Sequence, residues 1–393
     1  MTDSPADSNS DGRALVWGGP TYRWGARLAG RYSGSTRRFL RVALLITVTW
    51  VPLLVLSANS GRVLGGVTVP FLRDPEAFGR FLFVLPVLEL AQIAVALSLS
   101  VQTRQFIESG VIPVREQPRF KAALVGAIRV RAAALPEGVM LVLCFALPIF
   151  TRIGLGYSTG DSSWERLGPT ITLAGWWHTL ISLPIMYFFL LRWIWVFALW
   201  SWFLFRVSRL DLELTPTHPD RTGGLGFVGW GAVGFATVLM AFSAFFSAGF
   251  ADEILHRSGS LDSLKYHVAI FVVGGLVMLH IPLLAFSGLL SRCRFKGLLE
   301  FGALVWRYDR AFEAKWLIKP SEVKAENMLG SPDIQALASI AECYDHIDRM
   351  WPILFDPKAV AVLVVAALIP MIPLLATKVP LGEIFMKLGE MLV

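Results

Sequence analysis

Seven blocks of apolar residues, most of them about twenty residues long, run along the chain at 39–58, 79–101, 137–157, 173–205, 227–250, 268–290 and 359–377. A helix of about twenty apolar residues is long enough to cross the hydrocarbon core of a bilayer. A segment surrounded by lipid must satisfy its backbone internally, and the strands of a membrane barrel would be shorter and would alternate. The pattern therefore predicts an all-α fold, a polytopic transmembrane bundle of about seven helices.

The segments between and beyond these blocks divide into three kinds. Residues 1–38 are polar and basic, which predicts a cytoplasmic N-terminal segment. Residues 291–358 carry helical signals: 295–316 could continue the sixth block, and Ser331-Pro332-Asp333 is a favourable helix start. We expect a small helical cytoplasmic cap there, with two separate surface helices as the alternative. Residues 378–393 have the amphipathic pattern of a helix lying at the membrane interface.

Composition and charge agree with the membrane assignment and give an orientation. Hydrophobic residues make up 55% of the chain and charged residues only 17%, which argues against a disordered chain or an ordinary soluble enzyme. Lys and Arg alternate between connections, with 25 on one side and 8 on the other. The positive side is cytoplasmic by the usual rule, so the N-terminus is inside and the C-terminus outside. The net charge of +7 suits anionic lipid at that face and needs no nucleic-acid partner.

Two charged side chains and one histidine lie deep within the apolar blocks. Glu89 is near the middle of the second block, Arg192 is in the fourth, and His280 is in the sixth. An ionisable group in the membrane interior is costly and is usually retained for function. We interpret the three as an intramembrane polar centre, with Glu89 as a proton or cation acceptor and Arg192 as an anion contact. A buried Glu89–Arg192 pair that only locks helix packing is the alternative, and His280 fits a packed histidine.

A Pro- and Gly-rich string, residues 215–227 (TPTHPDRTGGLGF), connects the fourth and fifth blocks. The residues of interest in it are His218, Asp220, Arg221, Gly223, Gly224 and Gly226. Exposed N–H groups ahead of a helix can hold an anion, so this cytoplasmic loop is a candidate ligand site or gate, with a structural turn as the alternative. Its G-x-G-x-x-G match follows no strand, so we expect no dinucleotide. No cofactor motif and no complete metal ligand set is apparent.

The strings HPDRTGGLGF, YDRAFEAKW and GSPDIQALA resemble an uncharacterised family of bacterial multi-spanning membrane proteins. The resemblance runs from about the third block to the C-terminus. It implies a bacterial inner-membrane location, in which the outside C-terminus predicted from the charge bias would be periplasmic. It implies no activity, because none is assigned to that family.

Three classes of function follow from these features. The first is a transporter or channel that uses Glu89 and Arg192 as its polar centre. The second is a membrane scaffold or signalling protein that docks a protein partner through residues 291–358. The third is a membrane enzyme that acts on lipid through His218 and Asp220, which we favour least. The sequence leaves the substrate and the oligomeric state open.

Overall fold

Helices account for nearly all the regular structure of the chain. The computed structural model describes residues 12–17, 34–154, 162–168, 170–256, 261–318 and 332–375. The expected interfacial helix at 378–393, Ser331 and most of residues 1–38 lie outside these ranges. Six helical runs are long and apolar enough to cross a membrane, and a seventh is added if a bent pair counts as one span. The predicted all-α transmembrane bundle is confirmed.

The α-helices, in chain order, are α1 (Gly34–Thr49), α2 (Val51–Asn59), α3 (Pro75–Phe78), α4 (Leu85–Glu108), α5 (Gln117–Ala132), α6 (Ala134–Gly154), α7 (Leu173–Trp177), α8 (Leu183–Val207), α9 (Gly226–Gly231), α10 (Ala236–His256), α11 (Leu261–His280), α12 (Ser287–Phe312), α13 (Pro332–Asp348), α14 (Pro357–Leu368) and α15 (Ile372–Leu375). Turns of π-helix span Gly79–Val84, His178–Ser182 and Glu313–Leu317. Turns of 3-10 helix span Gly12–Leu15, Phe71–Arg73, Val114–Glu116, Ala232–Phe235, Ile281–Phe286 and Ile369–Met371. Two short antiparallel strands, β1 (Arg166–Leu167) and β2 (Thr170–Ile171), pair Arg166 with Ile171.

The candidate spans are the runs Arg38–Asn59, Pro75–Glu108, Leu173–Val207, Gly226–His256, Lys265–Leu317 and Pro357–Leu374. The bent pair joins Val114–Ala132 to Ala134–Phe150 at 44°. Its first arm falls in a stretch that the apolar pattern leaves as a connection, because that arm carries six charged side chains and is not continuously apolar. The run Lys265–Leu317 continues well past the sixth apolar block, as the 295–316 pattern predicts.

Helices α4 and α8 lie at the centre of the bundle. Leu88 and Leu99 of α4 and Phe203 of α8 have no exposed surface. The indole nitrogen of Trp193 donates to the carbonyl of Leu88 at 3.1 Å and ties the two helices together. Both helices also carry buried polar side chains, Glu89 and Gln92 on α4 and Arg192 on α8, which lie inside the bundle and away from lipid.

Part of the N-terminal segment lies inside the bundle. The sequence pattern assigns residues 1–38 to a segment outside it, but Leu15 and Val16 are fully buried. The N–H of Gly12 donates to Thr103 Oγ1 at 3.2 Å. A β-carbon at Gly12 would collide with the carbonyl of Leu99, so only glycine permits this approach. The sequence pattern missed this short apolar stretch because most of the surrounding residues are polar or charged. The stretch packs beside α4.

Helices α12 and α13 pack against each other as an antiparallel pair. Arg294 of α12 donates to the carbonyl of Asp348 at 2.7 Å. At the other end, the Tyr308 hydroxyl donates to the carbonyl of Asp333 at 3.0 Å. Ile347 is fully buried where the pair meets the bundle. The small helical cap is therefore a packed unit, not two separate surface helices.

The last run is kinked at its prolines. Helix α14 gives way to the 3-10 turn Ile369–Met371, which contains Pro370. Ser243 of α10 donates to the carbonyl of Ala367, and Ser247 donates to the carbonyl of Pro370 at 2.7 Å. These hydroxyls satisfy backbone carbonyls at the kink, as serines do between membrane helices.

Candidate functional site

The predicted polar centre is a network of four side chains and one main-chain carbonyl rather than a simple ion pair. Glu89 of α4 and Arg192 of α8 are both buried, with 6% and 8% of their surface exposed. Gln92, one helical turn after Glu89, donates to Glu89 Oε2 and accepts a hydrogen bond from Arg192 at 3.3 Å. Arg192 also attracts the Glu89 carboxylate electrostatically. Gln92 therefore connects the two residues that the sequence singles out.

Two further partners complete this network. Arg41 Nη1 of α1 lies 3.6 Å from Glu89 Oε1. Arg192 donates to the main-chain carbonyl of Val16 at 3.3 Å. Sequence reasoning missed Arg41, although it lies inside the first apolar block, and it missed Gln92, although the i, i+3 spacing places it beside Glu89. Among the residues that the structure describes, the network holds two guanidinium groups and one carboxylate.

Both helices of the polar centre are locally widened. The π turn Gly79–Val84 leads into Leu85-Pro86, and the π turn His178–Ser182 leads into Leu183-Pro184. A proline removes one helical hydrogen bond and presses on the carbonyl four residues earlier, which in each helix lies in the π turn. The rings of Phe81 and His178 meet edge to face at 5.6 Å, so the two turns are neighbours. Such π turns are frequent near functional sites.

His280 lies apart from this network in the described contacts. Its Nδ1 is 2.8 Å from the carbonyl of Leu276 in its own helix. Its ring lies 6.3 Å from that of Phe355, just before α14. The structure therefore brings Glu89 and Arg192 together and places His280 beside the other candidate region.

The 215–227 loop is folded around the carboxylate of Asp220. Its Oδ1 accepts hydrogen bonds from the N–H groups of Thr222 and Gly224, at 2.8 and 3.1 Å, and its Oδ2 accepts from Gly226 at 2.9 Å. Partial burial alone raises the pKa of this carboxyl, but the amide hydrogen bonds hold the pKa below its ordinary value. The anion that these N–H groups hold is thus Asp220 itself.

His218 and Arg221 extend from the same loop. His218 Nδ1 is 2.8 Å from Asp220 Oδ1, and nearly half of the His218 side chain is exposed. Arg221 has a φ of +56°, and its carbonyl accepts a hydrogen bond from the N–H of Trp351 at 2.9 Å. The left-handed conformation is costly for a residue with a side chain. Among the residues that the structure describes, the Arg221 guanidinium makes no hydrogen bond or ion pair.

The glycines of the loop allow its close contacts. Gly223 has a φ of +65°, and a β-carbon there would press on Leu214 and Met350. Gly226 lies against the Asp220 carboxylate, where a β-carbon would meet Oδ2 at 3.1 Å. The loop is therefore a tightly packed turn that precedes α9 and contacts the segment before α14.

A cavity of about 560 Å³ opens beside this loop. We call it the loop-face cavity; its lining includes Ser109, His218, Arg221, Trp230, Trp351 and Phe355. Trp351 and Phe355 stack with ring centroids 5.7 Å apart. A volume of this size and a wall of aromatic and polar side chains are typical of small-molecule sites.

A second buried polar group, which the sequence did not indicate, lies beside the π turns. Trp164 donates to Asp74 Oδ2 at 2.8 Å, and His178 Nδ1 lies 2.6 Å from Glu165 Oε1. Burial, with the nearby charge of Glu165, raises the pKa of Asp74. Within the described ranges, no group of three His, Cys, Asp or Glu side chains could hold a metal ion.

The fold and these sites define an integral membrane protein with a buried charged network and an open cavity at one end. No family model, no curated protein and no solved structure matches the chain.

Proposed function

We propose that this protein is transporter-like and passes small anions, with the Glu89–Arg192 network as its polar centre. The observation that carries the proposal is a buried carboxylate contacted by Arg41 and bridged through Gln92 to Arg192. Two arginines converge on this network, and arginine is a side chain well suited to bind an anion, which favours an anion as the transported charge. Charged groups inside a membrane are costly and are usually retained for a function.

The contacts of Arg192 suggest how an anion enters this network. One partner of the guanidinium is the neutral main-chain carbonyl of Val16. An anion is a stronger partner for arginine than a neutral carbonyl. The segment 12–17 therefore occupies a place that an anionic substrate would take. The π turns beside the network supply the helix irregularity that transporters use at their binding sites.

Flux through proteoliposomes tests the proposal. The purified chain is reconstituted, and efflux of chloride and of inorganic phosphate is followed. Wild-type vesicles should lose anion faster than empty vesicles, and Glu89→Gln and Arg192→Leu should each abolish the difference. Arg206→Leu, in the same helix but with its guanidinium over Trp202, is the matched control. Flux that survives both network changes would make the network purely structural.

A docking role is the second candidate function. Helix α12 exposes Phe295, Leu299 and Trp306, each more than half accessible, on the face opposite α13. Large apolar side chains in such a row are typical of interaction surfaces. A pull-down on the full chain that recovers the same partner from wild type and from Phe295→Ser plus Trp306→Ser would count against this role.

The lipid-enzyme alternative has weaker support. It requires Asp220 to act through His218, whose Nδ1 lies 2.8 Å from Asp220 Oδ1, but both Asp220 oxygens also accept backbone hydrogen bonds and so hold the loop together. Unchanged lipid turnover after His218→Ala plus Asp220→Ala would remove it. We also propose that the protein lies in a bacterial inner membrane with the loop face in the cytoplasm. The resemblance of the HPDRTGGLGF string and the charge bias support this proposal.

A further inference from the structure

The Arg221 guanidinium is available to a ligand. Arg221 lines the loop-face cavity, and its side chain is exposed. Its backbone is held in the left-handed region at a φ of +56° by hydrogen bonds to His218 and from Trp351. A glycine would adopt this conformation without strain. An arginine at a strained position, whose head group has no partner among the described residues, points to a role for the side chain itself.

The carboxylates beside Arg221 are already neutralised in part. Asp220 accepts three backbone N–H groups. Asp356, also in the cavity wall, caps α14 by accepting from Lys358 at 2.8 Å and from Ala359. The Asp220 carboxylate thus pairs with its own loop, and the Asp356 carboxylate pairs with the first turn of α14. The groups left to contact a ligand are the guanidinium of Arg221 and Nε2 of the half-exposed His218 ring, whose Nδ1 already contacts Asp220. An N–H group at either position suits an anion.

The other wall of the cavity is aromatic. Trp230, Trp351 and Phe355 expose 45%, 43% and 41% of their surface. These side chains offer flat apolar surface that an alkyl chain would cover.

The position of the cavity fits a molecule that has both an anionic group and an alkyl chain. Two candidate spans, Gly226–His256 and Pro357–Leu374, begin at its wall. The cavity therefore lies at the ends of two candidate spans, a level at which a polar head group and an apolar chain both find partners.

We infer that the loop-face cavity binds an anionic amphiphile, with a phosphate group at Arg221 and His218 and an alkyl chain against Trp230, Trp351 and Phe355. This site is separate from the Glu89–Arg192 network and does not depend on anion transport.

Native mass spectrometry of the full chain in a non-ionic detergent measures the binding. The probes are lysophosphatidic acid, lysophosphatidylcholine with the same chain, and inorganic phosphate. Lysophosphatidic acid should bind more tightly than either of the others. The comparison of the two lysolipids tests whether the site requires an anionic head group without a choline. The comparison of lysophosphatidic acid with inorganic phosphate tests whether the alkyl chain contributes to binding.

Arg221→Gly is the decisive variant, because glycine adopts this backbone conformation without strain. The variant protein should therefore unfold at the same or a higher temperature than wild type. It should weaken binding of lysophosphatidic acid about tenfold or more, as expected for one charge-assisted contact. Trp351→Ala should weaken the same binding and leave phosphate binding unchanged. Arg104→Gln is the control. It removes an exposed charge near the C-terminal end of α4, close to the cavity but outside its lining, and should change binding little. Equal binding by Arg221→Gly and wild type, or equal binding of the two lysolipids, would overturn the inference.

Discussion

The guanidinium of Arg192 donates a hydrogen bond to the main-chain carbonyl of Val16, 3.3 Å away and 176 positions earlier in the chain. This contact holds an N-terminal segment inside the helix bundle, against the centre of α4. The segment is thereby part of the core and of the polar network together. Removing it should change both stability and the environment of Glu89.

Gly12→Ala should loosen this segment. The added methyl group would collide with the carbonyl of Leu99 and lie 2.9 Å from the Thr103 side chain. Forcing a carbon into a packed site costs about 1–3 kcal/mol, so the variant should unfold at a lower temperature in detergent. Gly288→Ala is the control, since nothing lies within 4 Å of a β-carbon there. Alanine in that helix should stabilise by about 0.5–1 kcal/mol. Equal shifts in the two variants would contradict the packing of Gly12.

The Arg131–Glu137 pair should behave as a coupled unit. Arg131 Nη1 lies 3.3 Å from Glu137 Oε1 across the bend between α5 and α6, and both side chains are buried. Glu137→Leu removes the partner of the buried Arg131 guanidinium and should cost about 3–5 kcal/mol. Arg131→Met takes one partner from Glu137 and should also lower the free energy of unfolding. The double variant should recover most of this loss. Chemical unfolding of all four forms gives the coupling free energy, and purely additive losses would show that the pair is not an energetic unit.

Asp220→Asn should lower stability in a pH-dependent way. The carboxylate accepts three backbone hydrogen bonds, and replacing part of that set should cost about 1–2 kcal/mol near neutral pH. Because the pKa in the folded protein is below the ordinary value of 3.8, the stabilisation is present above that value. It is lost as the pH falls through the folded pKa.

Thermal unfolding at pH 7, 4 and 3 checks this prediction. The difference between wild type and Asp220→Asn should narrow at pH 3. Asp211→Asn, an exposed carboxylate paired with Arg115, is the control and should show little effect at any pH. A difference that stays constant down to pH 3 would mean that the Asp220 charge does not hold the loop.

The helical class and the two polar regions were predictable because their signals are local. The apolar blocks are long, and Glu89 and Arg192 stand out against them as single charges. The HPDRTGG string is conspicuous for its prolines and glycines. Arg41 and Gln92 were missed because a charge near the start of a block is taken as a boundary and a glutamine is taken as neutral. Only the packing of α1 against α4 brings Arg41 to Glu89.

The sequence by itself determined that this chain is a bundle of apolar helices, because lipid leaves a continuous apolar segment no other way to satisfy its backbone. The tertiary structure decided which polar groups meet. It placed Gln92 between Glu89 and Arg192 and Val16 beside them. It also paired backbone N–H groups of the 215–227 loop with the Asp220 carboxylate. These contacts join positions distant in the chain, and they depend on the stagger and rotation of packed helices, which no local pattern specifies.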